Sequence, residues 1–76
     1  MLSLINFETL MKGLAYSSLR TGKKYRLTNF GEVLEFRLEK ILPRDFLLKD
    51  LTTLETYKMS QLTQFGKGSD FEILEI

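Results

Sequence analysis

The sequence predicts a mainly β fold. Five strands form a small barrel, an N-terminal α-helix precedes them, and one helical turn comes before the last strand. Three observations predict it. Leu34, Phe36 and Leu38 alternate with Glu35, Arg37 and Glu39, the period of a strand with one buried and one wet face. The alternation slips by one residue at Lys40, where an apolar side chain is due. Spacing then changes to a helical period over Ser60–Gly66, immediately before the closing apolar run Phe71–Ile76.

Taken in order, Leu4, Phe7, Met11 and Leu14 fall at intervals of three and four, the stripe of a helix lying on a core. Ser3 or Asn6 is placed to cap its start, and Glu8 lies near the positive end of its dipole. The helix is expected over about 4–19, with Gly22 as the residue that ends it, although Gly13 is a poor interior residue and leaves a shorter helix open. Tyr25-Arg26-Leu27-Thr28 alternates and reads as the first strand, with Tyr25 in phase with Leu27 and facing the core. The short connection Asn29–Glu32 contains Gly31, which accepts a positive φ, so the first two strands are expected to pair as an antiparallel hairpin.

The second strand is the long one, Glu32–Leu42. The slip at Lys40 is what a β-bulge or bend produces, because one extra residue sends every later side chain to the other face. A strand ending at Glu39, with Ile41 and Leu42 as loop anchors, is the competing reading. Pro43-Arg44-Asp45 is a turn, since proline fixes φ and lacks the amide proton of a ladder residue. Phe46-Leu47-Leu48 resumes as a strand, and Phe36, Leu38, Phe46 and Leu48 are the expected centre of the core. Thr56–Met59 alternates again, with Tyr57 and Met59 inward, and Phe71–Ile76 closes the chain.

From Lys24 to Ile76 the chain resembles the SH3-like small barrels. The similarity rests on the long bent second strand Glu32–Leu42, the tight turn at Pro43-Arg44-Asp45 and the helical turn Ser60–Gly66 before the last strand. The leading helix is similar to that of the Sm-like relatives of the barrel. At 76 residues the chain is read as one domain, with a helix over 1–21 and a barrel over 22–76. The resemblance implies no site residue, because neither the aromatic groove of proline-binding SH3 domains nor the Sm uridine signature is matched.

Composition bounds the chemistry. A 76-residue domain buries only about 60% of the surface its unfolded chain exposes, so its core must be dense or supplemented by self-association. The nine aromatic residues, six Phe and three Tyr, supply that density. There is no cysteine and no histidine, which excludes disulfides, thiolate metal sites and nucleophiles activated by either residue. Glu35, Glu39, Glu72 and Glu75 read as solvated strand faces rather than as catalytic carboxylates. A non-catalytic binding module with no cofactor and no metal is the expectation. Apolar stretches are interrupted by Asn6, Glu8, Lys12 and Arg20, so no membrane span or leader is read, and a cytoplasmic protein is expected.

Charge is distributed unevenly along the chain. Residues 1–31 carry five cations against the single acid Glu8, while residues 32–76 carry six against nine. The candidate binding residues are Arg20, Lys23, Lys24 and Arg26. Clustered cations beside Tyr25 can hold a phosphate backbone, which points to single-stranded nucleic acid. A solvated connection is the plainer account of the same residues. A protein partner or a homo-oligomer is the alternative: the basic N-terminal third would meet the acidic part of a second copy, with Leu74 and Ile76 adding apolar contact.

Overall fold

The computed structural model describes residues 13–76. Within them the chain is mainly β. Its strands are β1 (Lys24–Asn29), β2 (Glu32–Leu42), β3 (Asp45–Asp50), β4 (Thr56–Lys58) and β5 (Glu72–Glu75), with the single helical turn α1 (Met59–Leu62) between β4 and β5. They form one antiparallel sheet in the order β4-β3-β2-β1-β5.

The slip at Lys40 is a β-bulge. Leu38 pairs with Leu48 and Lys40 with Leu47, so Glu39 is the extra residue on β2. The two-residue turn Pro43-Arg44 fixes the pairing of Leu42 with Asp45. Were the ladder regular from there, Leu38 would face Lys49, and both could not be placed correctly. One extra residue lets Leu38 and Leu48 face the core together. Both are fully buried, as are Leu19, Tyr25, Phe36 and Ile73, with Leu27 and Met59 nearly so. Each such side chain contributes about 1.5–3 kcal/mol by leaving water. Phe46, expected at the centre of the core, is half-buried at its margin and packs edge-on against Tyr16, ring centroids 5.4 Å apart.

Two expectations are corrected. The helix over 1–21 is not continued through the described residues. Gly13 forms a bridge to Ile73, the Leu14 N–H donates to the Ile73 carbonyl at 2.7 Å, and only Tyr16–Ser18 makes one 3-10 turn. Gly13 adopts φ +74°, and a Cβ there would lie 2.3 Å from the Ile73 carbonyl oxygen, so this position is set by close backbone approach. Leu14 and Leu19 keep their apolar phase because the segment crosses the inner face of the sheet, where Leu19 is buried. The helix start, residues 1–12, lies outside the described residues. The second correction concerns closure: the sheet is open, with no pairing of β4 to β5. β4 is only three residues long, and the outer edge of β5 is occupied at Ile73 by Gly13 and Leu14.

The β1–β2 turn is held from outside. Phe30 and Gly31 both have positive φ, 50° and 77°, the geometry of a two-residue hairpin turn matched to strand twist. Their amides donate to the Asp70 carboxylate at 2.8 and 2.7 Å. Buried Asn29 accepts from the Gly68 N–H at 2.8 Å and donates to the Gly66 carbonyl, binding the loop after α1 to the same turn.

Candidate functional site

The four cations picked out by the sequence do not converge. Arg20 turns back on its own loop, its Nη1 donating to the carbonyls of Ser17 and Leu19 at 2.9 and 3.1 Å. Its backbone N–H donates to the buried Tyr25 hydroxyl at 2.8 Å, which places Tyr25 in the core as its phase predicts. Lys23 is exposed and precedes β1, its carbonyl accepting from the Leu38 N–H. Only Lys24 and Arg26 share the outer, wet face of the sheet. Arg26 is committed there to Glu35, 2.9 Å away on β2.

Register assembles a different set. Lys24 lies opposite Arg37, and Arg37 lies opposite Lys49, so three cations from three adjacent strands form one cross-strand row on the outer face. Lys40, opposite Leu47, and Lys58, also opposite Leu47 from β4, extend the same face. Alternation gives this face six cations (Lys24, Arg26, Arg37, Lys40, Lys49, Lys58) against four carboxylates (Glu35, Glu39, Asp45, Glu72). Glu35 pairs with Arg26, and Glu39 with the Arg37 Nε. Among the described residues Lys24, Lys40 and Lys49 have no carboxylate in ion-pair range. The charge asymmetry of the sequence is therefore an asymmetry between faces of the sheet, and Arg37, Lys40, Lys49 and Lys58 come from its nominally acidic part. Sequence reading missed them because the row exists only once strand pairing and the bulge are known.

Beneath the β1–β2 turn, on the inner side of the sheet, an open groove of about 560 Å³ runs between the hairpin and α1. Leu27, Leu34 and Leu62 supply apolar lining, and Asn29, Gln61 and Gln64 supply amides. Among the described residues its ionisable lining groups are Glu32, Asp50 and Tyr57. The amides of Thr52 and Thr53 both donate to Asp50 Oδ1, at 2.7 and 3.1 Å, and hold its carboxyl below the usual carboxylate range. The Tyr57 hydroxyl donates to Glu55 at 2.6 Å, which raises its pKa above the usual phenol value. Asp45 serves α1: the Ser60 hydroxyl, the Phe46 N–H and the Ser60 N–H all donate to it, and together they depress its pKa.

Among the described residues no helix is long and apolar enough to cross a membrane. No protein-family model, curated protein or solved structure matches the chain.

Proposed function

We propose that this chain is a small, non-catalytic, cytoplasmic binding module that holds the phosphate backbone of nucleic acid against the outer face of its sheet. The strand order, the bulged second strand and the helical turn before β5 support reading the fold as an SH3-like barrel left open at one seam. The absence of His and Cys from the sequence supports binding over catalysis.

The row Lys24–Arg37–Lys49 carries the proposal. Like charges directly opposite each other on a sheet destabilise it. Neighbouring strands stand about 4.8 Å apart, so each cation of the row meets the next at close range. A polyanion laid across the row converts that repulsion into attraction and releases condensed counterions. The described outer face presents no aromatic ring, so bases are not stacked there and the contact is indifferent to sequence.

Fluorescence anisotropy with labelled oligonucleotides, single-stranded and duplex, tests this across a salt series. With three phosphate contacts, log K is expected to fall with log salt at a slope of about −2 for single strands. Lys24→Ala should flatten the slope by about 0.7. Binding that is absent at low salt, or insensitive to salt, overturns the proposal.

A further inference from the structure

The groove on the opposite side of the sheet is unsuited to a polyanion, since among the described residues Glu32 and Asp50 line it and no cation does. We infer that it is a docking site for a polypeptide segment that presents a bulky apolar side chain flanked by lysine or arginine. This inference is independent of the nucleic-acid reading, which uses the other face.

The first support is the rim. Phe30 and Phe65 stand at the groove's edge with 58% and 85% of their surfaces exposed, in a chain whose core aromatics are closed off. Large aromatics left this open cost solvation free energy that a bound apolar group recovers. The second is backbone geometry. Phe30 adopts φ 50°, a region where bulky residues are rare and where Asn or Gly is the usual occupant of such a turn. The strain persists because Asp70 takes both turn amides and the Phe30 ring lies against Gly68, where a Cβ would come within 2.9 Å of it. The aromatic is thus fixed at the rim before any partner arrives, which lowers the ordering cost of binding.

Charge complementarity selects the partner. Asp50 is kept ionised by the two amides that donate to its Oδ1, with the Thr53 side chain adding to them. Glu32 is exposed at the hairpin end of the groove. An apolar side chain seated on Leu27, Leu34 and Leu62 would bring a flanking cation against these carboxylates. The Gln64 amide is placed to meet a backbone group of the same segment, whereas Asn29 and the Gln61 Oε1 are already engaged within the fold. The volume falls within the range of sites that enclose small ligands or a few side chains.

The test uses two labelled heptapeptides, Gly-Lys-Leu-Lys-Phe-Lys-Gly and its charge-reversed form Gly-Glu-Leu-Glu-Phe-Glu-Gly. They are titrated into the full chain and followed by anisotropy and by backbone amide NMR shifts. The basic peptide is expected to bind, shifting amides of Asn29–Leu34 and Gln61–Phe65, and the acidic one is not. Phe65→Ser, at a surface position, should weaken binding about tenfold, and Glu32→Lys should abolish the preference for the basic peptide. Lys49→Glu should leave peptide binding unchanged, which separates this site from the nucleic-acid face. Equal binding of both peptides, shifts confined to the outer face, or no binding at millimolar peptide overturns the inference. So does light scattering that shows a dimer whose groove amides shift with protein concentration alone, because the occupant is then a second copy.

Discussion

Lys49→Glu separates binding from stability in opposite directions. In the folded chain Lys49 faces Arg37, which faces Lys24. Directly opposite pairs have Cβ atoms about 4.5–5.5 Å apart, and each charged pair is worth roughly 0.2–1 kcal/mol, with a sign set by the charges. The substitution removes one repulsive pair and creates one attractive pair. Because these side chains border solvent, the lower part of that range applies to each, giving a net stabilisation of about 0.5–1 kcal/mol. For a domain of this size, that raises the melting temperature by about 2–8 °C and, at about 1 kcal/mol/M, the urea midpoint by about 0.5–1 M. The gain should shrink at high salt. Oligonucleotide affinity, read by anisotropy on the same samples, should fall, with a salt slope flatter by at least about 0.7. A more stable variant that binds less well is the signature of a charge row kept for a ligand. A variant that loses stability while binding as before refutes both the register-based electrostatics and the assignment of the face.

Other substitutions probe the frame. Leu48→Ala empties a fully buried site at the sheet's centre and should cost about 2–5 kcal/mol, enough to unfold much of a domain this small, as circular dichroism in urea will show. Gly13→Ala places a methyl into the Ile73 carbonyl at a positive φ; it should destabilise by more than about 1 kcal/mol and increase hydrogen exchange at the Leu14 amide. Acid should weaken the fold through Asp45 and Asp50. Both have folded pKa values below the ordinary carboxylate value of about 4, so the stability they contribute is present above that value and is lost as pH falls through the lowered ones. Urea midpoints should therefore drop below about pH 4, and Asp45→Asn with Asp50→Asn should flatten that acid limb while lowering the midpoint at neutral pH.

Local pattern carried the strands. The alternation through Leu34–Leu38, the turn at Pro43 and the phase slip at Lys40 are each properties of a few neighbouring residues, and each reappears in the fold as β2, its turn and its bulge. The segment 14–19 departs from the helix its spacing predicts for a physical reason. Apolar residues three to five apart suit a helix, but they equally suit an irregular strand of chain laid across a sheet, and only the backbone approach of Gly13 to Ile73 distinguishes the two. Barrel closure was illegible because it depends on whether β4 is long enough to find an edge. The site was the least legible of all. Lys24 and Arg37 become neighbours through the Phe30-Gly31 turn, and Arg37 and Lys49 become neighbours only because Glu39 is extra. Were Glu39 paired like its neighbours in a regular ladder, the Pro43-Arg44 turn would set Arg37 opposite Asp50, and the face would read as an ion pair.

Glu39 therefore has two separable roles, and deleting it tests them together. Counting back from the Pro43-Arg44 turn with Glu39 absent, Lys40 still meets Leu47, Leu38 still meets Leu48 and Arg37 still meets Lys49, now in an unbroken ladder. The deletion preserves the core face and the cation row while removing the bulge, with its local bend and added twist. It also frees the Arg37 guanidinium from its carboxylate partner. Nuclear Overhauser contacts between Leu38 and Leu48 should persist, the urea midpoint should fall as β2 loses its curvature over the core, and the salt slope for oligonucleotides should steepen as the row gains an uncompensated charge. If those contacts are replaced by a Leu38–Lys49 pairing, the slip at Lys40 has another origin. The row would then owe nothing to the bulge, and the electrostatic account of the outer face would lose its structural basis.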